Sequence, residues 1–191
     1  MAFLNIAAIR YCTNSEGPGK RFAIWCQGCL RRCHGCCNPS MQPIKRRNVV
    51  PVDALFKLIE QHKEKDGIEG VSFIGGEPIL QVEGFVELAK NCQSIGLSVL
   101  IFTGFTYDEL ISADNLMINN LLKYTDILVD GEFIESLYDE KRDWVGSTNQ
   151  RVLFLSDRYK PGIEFEHGVR TTELRISKNI VSINGWPIDV I

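Results

Sequence analysis

Apolar residues along this chain fall into two rhythms. Compact runs at residues 3–9, 22–25, 71–74, 97–102 and 127–129 are too short for helices and predict strands. Between them, Val52, Leu55, Phe56 and Ile59 recur at helical spacing behind Pro51, predicting a helix over residues 51–65. Val82, Phe85, Val86, Leu88 and Ala89 repeat that period before Gly96, predicting a second helix over residues 82–95. A weaker pattern predicts a third over residues 107–124. The first two strands are separated by a Gly-Pro-Gly turn at residues 17–19.

The resulting order, strand then helix repeated, implies right-handed βαβ units and an α/β fold. Its sheet is expected to be largely parallel, either doubly wound or an incomplete barrel. Both arrangements place function at the C-terminal ends of the strands. Beyond residue 150 the rhythm changes. Residues 151–155, 173–176 and 180–183 read as short strands, the last two joined through Ser177, Lys178 and Asn179 as a hairpin.

Length and composition narrow the class. A chain of 191 residues with 45% hydrophobic and 24% charged residues is an ordinary domain with a real core. A net charge of −3 argues against a nucleic-acid partner. No apolar stretch approaches a membrane span, and no cleavable leader pattern opens the chain, so a cytoplasmic location without membrane attachment is expected. In that setting seven cysteines point to metal or redox chemistry rather than a disulfide scaffold.

Five of those seven lie within the twelve positions CQGCLRRCHGCC, residues 26–37. Cys29, Cys33 and Cys36 form C-x-x-x-C-x-x-C, which chance would place in roughly one chain in a hundred of this composition. Thiolates select zinc, copper(I) or iron–sulfur clusters, and a loop this short lets three sulfurs converge on one face of a cluster. A zinc site using Cys26 as fourth ligand is the competitor. Zinc ribbons, however, separate their cysteine pairs by about 15 to 20 residues, whereas three intervene here. Cys26 and Cys37 are read as packing or shielding residues. His34 needs no ligand role. Directly after the 71–74 strand comes Gly75-Gly76-Glu77-Pro78, a small-residue turn where a parallel sheet opens its ligand crevice.

These two motifs, in this order, resemble the radical S-adenosylmethionine (SAM) superfamily. Over residues 5–155 the chain is similar, more narrowly, to activating proteins of glycyl-radical enzymes such as anaerobic ribonucleoside-triphosphate reductase. The segments that carry the likeness are VSFIGGEPIL, IFTGF, DILVDGEF and WVGSTNQRV. Cys37, where those proteins usually carry an aromatic residue, and the tail from Ser156 depart from the pattern.

The resemblance implies an incomplete, open (βα)6-type radical SAM barrel over residues 1–155, with a short C-terminal β extension over residues 156–191. It implies that Cys29, Cys33 and Cys36 bind three irons of a [4Fe–4S] cluster, leaving the fourth iron to chelate SAM. Gly75 and Gly76 would let backbone approach the methionine part of SAM, with Glu77 accepting from its ammonium. The backbone of Gly35, Cys36 and Cys37 would border the adenine. Thr103 and Asp130, each ending a strand, would face the same crevice. Ser147, Asn149 and Gln150 would close over the cofactor. Catalysis is expected to need no side chain beyond the cluster and SAM sites, because the cofactors supply the radical chemistry. The expected partners are a glycyl-radical enzyme, as anaerobic ribonucleotide reductase is, and a reductant such as flavodoxin or ferredoxin. Two other readings stay open at this point: radical SAM chemistry on another protein, peptide or small molecule, and a noncatalytic iron–sulfur or zinc protein.

Overall fold

The computed structural model describes residues 2–166, 171–178 and 180–186. It is a mixed α/β protein. One seven-stranded sheet contains β1 (Phe3–Thr13), β2 (Arg21–Cys26), β3 (Asn48–Pro51), β4 (Gly70–Gly75), β5 (Ser98–Phe102), β6 (Ile127–Asp130) and β7 (Arg151–Phe154), in the spatial order β3-β1-β2-β4-β5-β6-β7. The four central strands β2, β4, β5 and β6 are parallel, and the outer pairings are antiparallel.

Connection length decides which is which. β1 and β2 are joined by a short loop, which forces them antiparallel, because a parallel neighbour needs a crossover of a dozen or more residues. The crossovers are α1 (Val52–Asp66), α2 (Val82–Ser94) and the pair α3 (Tyr107–Ser112) and α4 (Leu116–Lys123). Sequential parallel strands put all these helices in one layer, where α1 packs on α2 and α2 on α4. The arrangement is therefore singly wound. None of the helices among the described residues is long and apolar enough to cross a membrane.

Side-chain parity along the strands separates two faces. Phe22, Ile24 and Cys26 of β2, Val71 and Phe73 of β4, Val99 and Ile101 of β5, and Leu128 of β6 meet the helices in the main core. The alternate residues, among them Trp25, Ile74, Phe102 and Val129, face the other way. That second face carries the cavity described below.

Several expectations needed revision. β3 was absent from the sequence reading because Asn48 and Val49 are exposed and no apolar run marks them. The helix expected over residues 107–124 is two helices, broken where Asp114 takes φ 45°. Each piece has its own start signal: Thr106 and Glu109 form a reciprocal capping box, and the Asn115 side chain accepts from the N–H groups of Met117 and Ile118. The C-terminal hairpin is present as β8 (Thr172–Ser177) paired with β9 (Ile180–Gly185), forming a separate two-stranded sheet. Asn179 of its expected turn lies outside the described residues, as do residues 187–191.

Candidate functional site

The second face of the sheet opens into a cavity of about 1050 Å³ at the C-terminal ends of the parallel strands. Its wall begins with the cysteine loop. Cys26 ends β2 fully buried in the helix-side core, so its thiol packs and does not enter the cavity. The chain then turns at Gly28 (φ 104°), Arg32 (φ 52°) and Gly35 (φ 71°), and Cys29, Cys33 and Cys36 all line the cavity. The loop base closes on itself: Gly28 N donates to Met41 O at 2.8 Å and Cys29 N to Gln42 O at 2.9 Å. Gln27 donates to Met41 O and Pro43 O, while Gln81 donates to Gln27 O.

Burial pushes the thiols of Cys29 and Cys33 up. The N–H groups of Arg31 and Arg32 oppose this at Cys29, and the N–H of Phe133 opposes it at Cys33. Such N–H donors to sulfur suit a cluster thiolate, whose charge they stabilise. Among the described residues no three His, Cys, Asp or Glu side chains gather closely enough to hold a single metal ion. The three cysteines nevertheless share one cavity wall, a soft donor set suited to a larger cluster. Cys37, also on the cavity wall, is exposed and its sulfur accepts from Asn38 Nδ2.

Gly75 and Gly76 adjoin this loop, for a reason the sequence did not disclose. A Cβ on Gly75, which sits at φ 100°, would lie 2.8 Å from Cys26 N and Trp25 Cα. One on Gly76 would lie 2.3 Å from Gly28 O. The Cβ position of each glycine is thus taken by the protein's own backbone, and it is the missing side chains that let the turn lie against the cysteine loop. The two segments are stitched together by Gly76 N donating to Cys26 O at 2.9 Å and Glu77 N donating to Gly28 O at 2.8 Å. Both glycines still line the cavity.

Glu77 is buried, and both of its carboxylate oxygens accept hydrogen bonds. Oε1 accepts from Ile79 N at 3.0 Å and Thr103 Oγ1 at 2.8 Å, and Oε2 accepts from Gly104 N at 2.8 Å. Burial pushes its pKa up against these three bonds. Thr103 also accepts from Phe105 N, so its hydroxyl is spent on the turn that follows β5. Glu77 and Thr103 both line the cavity, yet each holds the other in place there.

Asp130 stands apart. Val129 lines the cavity, so the next residue points to the opposite face, where the Asp130 carboxylate receives Arg151 (Nη2 at 2.5 Å) and Tyr107 N (2.6 Å). It fixes β7 and the start of α3 instead of facing the crevice as expected. Of the polar stretch after Trp144, only Gln150 lines the cavity. Its Oε1 accepts from Gly146 N and its Nε2 donates to Gly131 O, while Ser147 Oγ accepts from Ile134 N. This stretch folds the loop between β6 and β7 onto itself.

Arg31 ties the cysteine loop to the connections that follow β5 and β6. Its guanidinium lies 4.2 Å from the centre of the Phe105 ring and pairs with Glu109 at 2.7 Å and Glu132 at 3.1 Å. Trp144, at φ 68°, and Ile183, Asn184 and Trp186 of the C-terminal segment also line the cavity. Trp144 lies in a segment whose likeness had been noted. The C-terminal residues carried no local signal, because only tertiary packing brings them here.

Glu16 anchors that C-terminal segment to the rest of the wall. It is buried, and its Oε1 accepts from Gly185 N at 2.7 Å and from Asn184 Nδ2 at 3.4 Å. Burial pushes its carboxyl up to about 7, helped by Glu173 and opposed by those two donors and Arg10. The folded protein therefore keeps this proton up to about pH 7, whereas the unfolded chain releases it near 4.5. The associated stability is complete below the lower value and is lost as pH rises through the higher one. Relative to Glu16→Gln, the wild-type protein is expected to lose on the order of 3 kcal/mol across that window, read by denaturant titration of the cluster-free protein. Parallel pH profiles for the two proteins would refute the assignment.

Comparison with known proteins adds an independent line. The family described as a 4Fe-4S single cluster domain matches residues 15–153. The anaerobic ribonucleoside-triphosphate reductase-activating protein of Enterobacteria phage T4 is 27% identical over 159 residues, covering 81% of this chain and 96% of the relative. The protein of the same name from Escherichia coli (strain K12) is 30% identical over 151 residues, covering 73% and 92%. The pyruvate formate-lyase 1-activating enzyme of the same strain is 28% identical over 190 residues, covering 96% of this chain and 70% of its own length.

Proposed function

The chain belongs to the 4Fe-4S single cluster domain family, together with the anaerobic ribonucleoside-triphosphate reductase-activating proteins, and from that premise we propose that it is a radical SAM activating enzyme for a glycyl-radical partner. Its cofactors are a [4Fe–4S] cluster and SAM. The observation that carries the proposal is the meeting of Cys29, Cys33 and Cys36 with the Gly75-Gly76 turn on one cavity wall, at the C-terminal ends of parallel strands.

In this reading Cys29, Cys33 and Cys36 hold the cluster, and the backbone of Gly35, Cys36 and Cys37 borders the adenine. Gly75 and Gly76 fix the cysteine loop against β4 and present the turn to the methionine part of SAM. Glu77 and Thr103 hold that turn and the end of β5 at a fixed separation. A cluster held by Cys29, Cys33 and Cys36 would supply the one-electron chemistry that cleaves bound SAM to methionine and removes hydrogen from a glycine of the partner. The protein's task is to position these groups and keep water from them. Trp25, Ile74, Phe102 and Val129 give the cavity floor the apolar character this requires.

We read residues 1–155 as the radical SAM core, an abridged form of the open (βα)6-type barrel, and residues 156–191 as an added unit. The singly wound parallel centre supports that reading, since helices on one face leave the other concave side free for a ligand. The reductase is the partner favoured by the relatives' names. A flavodoxin or ferredoxin suits the electron-donor role.

The test is 5′-deoxyadenosine formation from SAM by anaerobically reconstituted, reduced protein, followed by the electron paramagnetic resonance doublet of a glycyl radical after adding the reductase from the same organism. Both signals are expected. Product without the doublet would move the substrate to another protein or small molecule. Full cluster loading with neither SAM binding nor product would make this a noncatalytic iron–sulfur protein.

A further inference from the structure

The C-terminal hairpin is asymmetric in a way the activating chemistry leaves unexplained. Its cross-strand pairs Leu174 with Ile183 and Ile176 with Val181 place four aliphatic side chains on one face. They are 56%, 39%, 75% and 62% exposed, respectively. The opposite face is polar and fastened to the body. Glu173 accepts from Asn14 N, Asn184 donates to Thr13 and Ser15 and accepts from Arg10, and Gly185 N donates to Glu16. Arg175 donates to Cys12 O. The polar anchoring fixes the hairpin's orientation and turns its aliphatic face outward. A lone two-stranded hairpin is marginal in water, and an aliphatic face on one calls for a cover.

Position says what covers it. Ile183 carries this face into the wall of the cysteine cavity beside Gly185 and Trp186, and Trp186 packs edge-on against Tyr138 at 5.9 Å on the same rim. The aliphatic face is thus the outward continuation of the cavity mouth. The hairpin lies beyond residue 153, where the match to the 4Fe-4S single cluster domain ends. On the activase reading the substrate is a backbone glycine of a large protein, and its flanking chain must cross this mouth to reach the cavity.

We propose that the outward face of β8–β9 is a docking strip for the glycine-bearing segment of the partner glycyl-radical protein, holding aliphatic side chains that flank the target glycine. The inference rests on the activase reading. Leu174, Ile176 and Val181, which lie outside the cavity wall, confer partner selectivity and take no part in SAM cleavage.

The test compares the wild-type protein with Leu174→Thr/Ile176→Thr/Val181→Thr, which keeps β-branched residues in the strands while removing aliphatic surface. Val181→Lys alone serves as a second variant in case the triple change unfolds the hairpin. Cluster content and partner-free 5′-deoxyadenosine formation are expected to match wild type. The concentration of the reductase giving half-maximal glycyl radical is expected to rise at least about tenfold in the triple variant and in the same direction for Val181→Lys. Unchanged reductase dependence in both folded variants overturns the proposal. So does a wild-type dimer that the triple variant converts to monomer, which would give the face to a second copy of this chain. Loss of partner-free product would show that the strip serves the cavity or the chain's own last residues, and also overturns it. If the wild-type protein itself makes 5′-deoxyadenosine but raises no glycyl radical, the activase reading falls first and this inference with it.

Discussion

Cys33→Ala is expected to bring 5′-deoxyadenosine formation to background and to strip the cluster, whereas Cys26→Ala keeps both. The two thiols are seven positions apart on one loop, yet the sheet separates their fates. Cys33 lines the cavity with Cys29 and Cys36, and Phe133 N–H stabilises its charged form. Cys26 is inaccessible, among the aliphatic residues that meet the helices, and burial pushes its thiol well up. A thiol there is a small hydrophobe. Its truncation is expected to cost ~1 kcal/mol of stability and leave the iron count unchanged. Iron and sulfide analysis with the 5′-deoxyadenosine assay reads the contrast directly. Equal cluster loss in both variants would mean four cysteine ligands and no iron left open for SAM.

Gly76→Val carries the second large effect. The new Cβ would fall 2.3 Å from the Gly28 carbonyl oxygen, a backbone atom that cannot rotate away as a side chain would. The bonds joining Gly76 to Cys26 and Glu77 to Gly28 must then open, releasing the base of the cysteine loop. A clash of this kind costs about 3 kcal/mol, equivalent to a factor of roughly a hundred in loop occupancy. Cluster assembly and SAM binding are expected to fail together. Normal cluster content with SAM affinity alone reduced would return Gly76 to the role its sequence context first implied, close approach to the ligand.

The difference between those outcomes marks where the sequence stopped being readable. Strands buried on both faces, such as β2 and β4, announce themselves as near-continuous apolar runs, and α1 and α2 show a clean helical period. The cysteine spacing and the Gly75-Gly76 turn are equally local. What Gly76 would strike is not local, because Gly28 lies 48 positions earlier and meets it only through the parallel pairing of β2 with β4. Asp130 failed for a different reason, and one the sequence held. With Ile127 and Val129 on one face, strict alternation sends Asp130 to the other, toward α3 and Arg151. The rule that function sits at strand ends names the end but not the side. Arg31 looked like one solvated charge among several, since its partners Phe105, Glu109 and Glu132 arrive from two distant connections.

Arg31 and the loop-base hydrogen bonds also bear on how the metal arrives. In zinc fingers the ion is the staple, and the apo chain has no fold to lose. Here the cysteine loop is held at its base by Met41 and Gln42, against β4 by Gly76 and Glu77, and at its tip by Arg31, ties made between protein groups. A loop with ties of its own is expected to keep its base when iron is lost, so that anaerobic reconstitution restores the cluster without refolding the chain.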